Sequence, residues 1–460
     1  MVRSINDLIY GFKFETNNQP LTYSLNSANA KWSGQDNVRS LDLFNKKSDL
    51  NTDWQDGFRA AIKLWSEYSD LSFEDKTNDA VDANIYAYRA DVVGQAGATA
   101  WFANLATGEE YDAVPLVYAR SEFVFDNNAI PRYSAVPNFQ KYILLHEIGH
   151  AFGLRGDLEI SGYNSVLDAG EYNTDMSVMS YFIPESGYYF ESPTGAIKYD
   201  SIADARFAVT PMAYDIAALE SLYGTSSINV DADTYSFTGA KVSRTIKDDG
   251  GVDTFDLSGY NGESGVSIDL NPTLGINDEW LDRKTIVGEE YIYLARGTVI
   301  ENAAGTTKGD FIVGNAAQNV LKGGGGNDNL VGGGEKDFLF GELGNDTLDG
   351  GVGSDVYRFA VSGDGVDTII DSDGDGVIWT GETILGGTAA KHSSNHYTLD
   401  GVDLTWSHPE AQISGANDSA WGNQKDAEAP LDAINGSVWV GCYNRHPANG
   451  NVLAIISKVA

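Results

Sequence analysis

The sequence predicts an α+β domain over residues 1–225 followed by an all-β parallel β-roll over residues 226–385. Three observations predict it. Helical and strand-like apolar periodicities alternate up to about residue 225. Past Ser226 the helical patterns stop, and short strand-like runs separated by Gly, Asp and Asn replace them. Inside that second region runs a nine-residue repeat. Residues 386–460 carry neither the repeat nor a clear period and form a tail or cap of unknown role.

In DWQDGFRAAIKLWSEYS the residues Trp54, Phe58, Ile62 and Trp65 fall at helical spacing behind Asp53 as a candidate N-cap. That stretch reads as a core-facing helix without chemistry. ANIYAYRA and GATAWFA read as short strands, the second opening with the small residues Gly97 and Ala98, as an edge strand does. KYILLHEIGHAFG reads as a helix ending at Gly153, and TPMAYDIAALESLYG as another stopped by Gly224.

Read in nines from Gly305, the second region gives GTTKGDFIV, GNAAQNVLK, GGGGNDNLV, GGGEKDFLF, GELGNDTLD and GGVGSDVYR. The sixth place holds Asp310, Asn319, Asp328, Asp337, Asp346 and Asp355, and the eighth Ile312, Leu321, Leu330, Leu339, Leu348 and Tyr357. Glycines allow tight turns with positive φ whose carbonyls face a shared hollow. The aspartates add hard, charged oxygens suited to Ca2+, and the eighth residues stack inward as a ladder. A flexible Gly-rich linker has no reason to keep Asp and Leu in phase. Asn319 in place of an aspartate and Glu335 in place of a glycine predict weak or missing sites beside them. Just beyond, DSDGDGVIWTGE places Asp371, Asp373, Asp375 and Glu382 at loop positions one, three, five and twelve, with Gly376 at six. Its flanks are strand-like, so this reads as a calcium loop joining strands rather than a helix-flanked EF-hand.

Composition agrees. Acids outnumber bases by 66 to 30, a formal charge of −36, which argues against nucleic acid or anionic lipid as a partner. An aromatic content of 11% argues against a coreless chain, so the self-repulsion calls for bound cations. Cys442 is the single cysteine, so an intramolecular disulfide is impossible. The start MVRSINDLIYGFKFE lacks the apolar core of a signal peptide, and no run reaches membrane-spanning length.

The sharpest motif is HEIGH. His146 and His150 are four apart on the predicted helix, so both imidazoles project from one face about one turn apart. They are the only histidines in the first 391 residues, which argues against a casual core pair. Two such imidazoles suit Zn2+, and Glu147 lies where it can take a proton from a zinc-activated water.

HEIGHAFG followed later by SVMSYF resembles the metzincin arrangement, and within it the serralysin-type proteases. The resemblance extends to INDLIYGFKF, LTYSL, DIAALESLYG, GGVDTFDLSGY and VIENAAG, and covers residues 1 to about 360. It implies an α+β zinc-protease (metzincin-like) domain, then a calcium-binding roll. It implies one catalytic Zn2+, several structural Ca2+, protein or peptide substrates and a monomeric extracellular protein exported by type I secretion machinery without an N-terminal signal. By position His146 and His150 are implied zinc ligands and Glu147 the general base. Met179 forms the turn beneath the metal, and Tyr181 is a phenol that can bind zinc and then stabilise the oxyanion.

The chain departs from that pattern at one point. The family's third histidine falls ten residues after the first, where this chain has Gly156. Asp157 can replace it one residue late, as can Glu159 on a longer stem; or His146, His150, Tyr181 and water hold the ion alone. Alternatively the histidine segment is deleted and the site crippled. A zincin type using a glutamate about twenty residues on points to Glu171, but DAGEYNTD does not look helical and that type leaves MSY unexplained. The expectation is a secreted, calcium-stabilised zinc endopeptidase with substrate laid along GATAWFA. Its alternative is an inactive serralysin-like protein serving as a calcium-binding or adhesive module.

Overall fold

The computed structural model describes residues 5–9, 12–14, 16, 19–28, 44–79, 83–92, 98–103, 116–118, 120–126, 134–136, 138–156, 173–180, 182–184, 188–189, 205–275, 279–359, 365–370, 376–380, 383–384, 390–393, 396–399, 402–405 and 452–457. Within these residues the chain is mostly parallel β-structure with three α-helices.

Helix α1 spans Thr52–Glu67. Its cap is Asn51, whose Oδ1 accepts the Trp54 N–H at 3.0 Å. Asp53, expected as the cap, instead sits in the first turn, where its charge favours the helix dipole. Trp54, Phe58, Ile62 and Trp65 are all buried, as their spacing predicts. They face helix α2, Phe139–Ala151, inside one apolar core. Helix α3, Ala213–Tyr223, closes this part of the chain, and Gly224 turns away with φ 88°.

Beside the helices lies a sheet whose strands run in the spatial order Phe73–Asp75, Leu21–Ser24, Ile85–Val92, Arg120–Asp126 and Ala98–Ala103. The first four neighbours are parallel, whereas Ala98–Ala103 runs antiparallel to Arg120–Asp126 and ends the order. Among the described residues Ala98–Ala103 is therefore an edge strand, as expected, with Gly97 outside them, and α2 packs alongside this strand.

From residue 234 onward the strands belong to a thirteen-stranded and an eight-stranded sheet, and between Asn302–Ala304 and Gly376–Thr380 the chain alternates strictly between the two. Successive nonamers fall on opposite sheets, so residues eighteen apart are neighbours. Ile312, Leu330, Leu348 and Ile369 align in one sheet, and Ala303, Leu321, Leu339 and Tyr357 in the other. All are buried in a single core between the sheets, the roll the repeat predicts. Each truncation of such a leucine to alanine removes about 2–5 kcal/mol. Glu335, where the repeat expects glycine, adopts φ 64°, so it is forced into the left-handed region instead of abolishing the turn.

Beyond the repeat, Asp371, Asp373, Asp375 and Glu382 lie outside the described residues. Their flanks are strands, Val366–Ile370 and Thr383–Ile384, as expected. Gly376–Thr380, the middle of the supposed loop, pairs with Asp355–Phe359 in the eight-stranded sheet. In the tail, Val452–Ser457 pairs antiparallel with Val366–Ile370 and with Val402–Thr405, so part of NVLAIISKVA is a strand of the larger sheet. No helix among the described residues is long and apolar enough to cross a membrane.

Candidate metal centre

Helix α2 is buried on nearly every face, so its polar residues are there for a reason. His146, Glu147 and His150 are exposed by only 3%, 8% and 8%. The two imidazole rings lie 4.8 Å apart, edge to face. His146 Nδ1 is 2.8 Å from the Val178 carbonyl oxygen, and His150 Nδ1 is 3.0 Å from that of Leu154. A carbonyl only accepts, so each Nδ1 must carry the proton and each Nε2 the lone pair. That tautomer is the one in which Nε2 ligates a metal, and such outer hydrogen bonds fix ring orientation as well. Burial, and then the neighbouring His150, push the His146 pKa down to about 3, so the ring stays neutral and able to ligate.

Both carbonyls are placed by local structure. Gly153, with φ 92°, ends α2 and lets the Leu154 N–H return to the Gly149 carbonyl at 3.1 Å. The chain then bonds to the N-terminal segment, Arg155 N to Leu8 O at 2.9 Å. Val178 belongs to the tight turn Met176–Ser180, in which Ser180 N reaches Ser177 O at 3.2 Å. Met179 is buried in this turn at 1% exposure and lies directly against α2.

Three residues that build this floor escaped the sequence reading. Gly149 is one: a Cβ there would come within 2.5 Å of Met179 Sδ and 3.2 Å of Trp65. A glycine inside a helix costs about 1 kcal/mol relative to alanine, and that cost was the available signal. Gly149→Ala is expected to lower stability by about 1–2 kcal/mol despite the better helix propensity, because overpacking dominates; urea melts of the two proteins check it.

Asp215 is the second. Its carboxylate accepts Ser177 Oγ at 2.5 Å, Val178 N at 2.7 Å and Met212 N at 2.8 Å, binding the turn to the start of α3. Burial pushes its pKa up to about 7, against the pull of those three donors. The third, Asp175, joins the same turn to the roll. From α2 itself, Tyr142 donates to the Ser180 carbonyl at 2.6 Å.

Of the other predicted zinc-site residues, Gly156 is described and buried, whereas Asp157, Glu159 and Tyr181 lie outside the described residues, as does Glu171. The structure thus brings His146, Glu147, His150 and Met179 together.

The repeat aspartates form ladders. Asp310 N donates to Asp328 Oδ1 at 2.7 Å, Asp328 N to Asp346 Oδ1 at 2.8 Å, and on the opposite edge Asn319 N to Asp337 Oδ1 at 2.7 Å and Asp337 N to Asp355 Oδ1 at 2.9 Å. Asp367, outside the nonapeptide frame, takes the next rung by accepting Asp346 N at 2.8 Å. Asp328 Oδ2 and Asp337 Oδ2 are buried and make no hydrogen bond. An anionic oxygen in that state needs a cation or a proton, so the donor set fits Ca2+. Asn319 is different: its Oδ1 accepts Asn315 N at 2.7 Å, and its Nδ2 donates to Glu301 O at 3.0 Å. A second acidic cluster, Asp233, Asp248 and Asp253, holds one oxygen of each within 4.8 Å of the others. Asp253 Oδ2 in it is likewise buried without a hydrogen bond. KDDGGVD carried that signal in sequence.

Residues 304–339 and 323–357 match the family of the RTX calcium-binding nonapeptide repeat (4 copies). Over 204 residues the chain is 36% identical to the metalloprotease AprA of Pseudomonas entomophila, covering 40% of this chain and 39% of that protein. It is 29% identical over 323 residues to the metallopeptidase AprA of Pseudomonas marginalis, 66% of this chain and 61% of the relative. It is also 29% identical over 278 residues to serralysin of Photorhabdus laumondii, 57% and 53% of the two chains. The chain thus spans between about two fifths and three fifths of the length of these relatives. With the HEIGH helix, the methionine turn and the aspartate ladders on one chain, the protein is a relative of the serralysin-type metalloproteases that carries the RTX calcium-binding repeat.

Proposed function

We propose that this protein is a secreted zinc endopeptidase stabilised by calcium, with the catalytic α+β domain over residues 1–225 and the calcium roll over 226–385. The observation that carries the proposal is the pair of buried imidazoles, each with Nδ1 held by a backbone carbonyl and with Glu147 in the turn between them.

His146 and His150 would hold the ion, with Asp157 or Tyr181 completing the set. A zinc ion there would supply a Lewis acid that polarises the scissile carbonyl and lowers the pKa of water. The chain's own residues do the rest. Glu147 takes the proton of the attacking water and returns it to the departing amine. Tyr181 hydrogen-bonds the oxygen on which charge develops. Asp310, Asp328, Asp337, Asp346 and Asp355, the Asp371–Glu382 loop and the Asp233–Asp248–Asp253 cluster would hold calcium outside the cell.

Substrate would lie extended along Ala98–Ala103, which among the described residues ends its sheet beside α2 and offers backbone groups for strand addition. N-methylating alternate backbone amides of a peptide substrate should therefore lower kcat/KM by about tenfold or more, since each lost backbone hydrogen bond is worth about 1 kcal/mol. Equal rates for the methylated and plain peptides would place the substrate elsewhere.

Gly156, standing where the third histidine belongs, favours a second reading in which the roll serves as a calcium-binding or adhesive module on a protease scaffold that has lost its metal. Zinc per chain after dialysis, measured with casein cleavage by the wild type and by Glu147→Ala, separates the two. Bound zinc with Glu147-dependent cleavage supports the enzyme; a metal-free, inert protein supports the module.

A further inference from the structure

The turn that fixes His146 rests on three supports, and they come from different parts of the chain. Asp215 reaches it from α3 and Tyr142 from α2. The third support is Asp175, which precedes Met176 and is 7% exposed. Its own N–H is taken by Asn173 Oδ1 at 2.9 Å. Its carboxylate partners all come from further along the chain. Ser243 Oγ, on the strand Val242–Ile246 of the larger roll sheet, donates to Asp175 Oδ1. Tyr293, on the neighbouring strand Glu290–Leu294, gives it a second hydroxyl contact. The Arg206 guanidinium stands 3.9 Å from Asp175 Oδ2 and lies over the Tyr291 ring, 3.4 Å from its centroid.

We infer that Ser243 is a positioning residue for the metal centre: through Asp175 it seats the Met176–Ser180 turn, and through the Val178 carbonyl that turn orients His146. The inference rests on the zinc reading proposed above. Ser243 stands on the first long strand of the roll, 68 residues after Asp175, and the partner of its hydroxyl is that carboxylate rather than either imidazole. Its effect on them passes through one buried carboxylate and three residues of backbone, in which Ser177 Oγ also holds Met179 N at 3.0 Å. Removing the donor leaves a buried carboxylate short of one partner, and the cheapest relief is to shift the turn that carries it. The outer hydrogen bond that this turn makes to His146, through the Val178 carbonyl, is of the kind whose loss typically changes metal affinity by about 10–100-fold.

The test uses the full-length chain with calcium present. Amide hydrogen exchange over residues 173–180 and zinc affinity, by competition with a chromogenic chelator, are compared for the wild type, Ser243→Ala and Ser243→Thr. In Ser243→Ala the turn amides should exchange about tenfold faster and the zinc Kd rise about tenfold, while α1 amides are unchanged. Ser243→Thr, which keeps the hydroxyl, should restore both. Tyr293→Phe, which removes the other hydroxyl without opening a cavity, should shift both readouts in the same direction. Wild-type exchange and affinity in Ser243→Ala would overturn the inference, as would acceleration spread equally over α1, the mark of general destabilisation. Should the wild type bind no zinc, the zinc reading falls, and turn exchange alone decides whether Ser243 holds the turn.

Discussion

Glu147→Gln is expected to lower peptide hydrolysis by about three orders of magnitude while leaving zinc bound. Positioned general acid–base groups contribute about 10²–10⁴-fold, and Glu147 serves twice in the proposed cycle. Glutamine keeps the shape of the side chain, so the packing of α2, where residue 147 is 8% exposed, should hold. It cannot accept the proton. Initial rates on casein and zinc per chain, measured on the same preparations, check the result. A variant that retains zinc and cleaves within tenfold of the wild type would assign the base to another residue. One that loses zinc as well would make Glu147 structural.

Calcium removal is the second large effect. EGTA at pH 8 is expected to unfold residues from about 300 to 385, seen as loss of far-ultraviolet β-sheet signal. Asp328 and Asp337 are the reason: burial, with neighbouring acidic groups adding to it, raises each carboxyl to about 7. A raised folded pKa means that the metal-free folded state prefers the proton. Its contribution to stability is therefore full below the ordinary carboxyl range, falls as pH rises from about 4, and is gone once pH passes about 7. Metal-free roll should accordingly be more stable at pH 5 than at pH 8. Calcium requires the ionised carboxylates and should reverse the order, releasing protons as it binds. An unchanged spectrum after chelation at pH 8, or a metal-free roll that is steadier at pH 8 than at pH 5, would contradict this account.

Some features were legible because they depend on short-range periodicity. The eighth residues Ile312 to Tyr357 had to face inward once glycine turns recurred every nine residues, and they do. The apolar spacing of Trp54, Phe58, Ile62 and Trp65 settled the buried face of α1, although not its cap. Asn51 and Asp53 are both good caps, and only the path of the chain into the helix chose between them. Glu335 shows the converse: its sequence forbids an easy left-handed turn, and packing between coils imposes one.

By itself, then, the sequence determined the roll, the helix bearing His146 and His150, and the spacing that sets both imidazoles on one face, because each follows from local geometry. Only the tertiary structure decided which nitrogen of each ring keeps a lone pair for the proposed metal, since Val178 and Leu154 supply the carbonyls and neither is marked by its side chain. It also decided that Asp175, Asp215 and Gly149 form the floor of the centre. Their partners lie as far as 118 residues away along the chain, from Asp175 to Tyr293, and hydrogen bonds and close packing are chosen by distance in space, to which periodicity is blind.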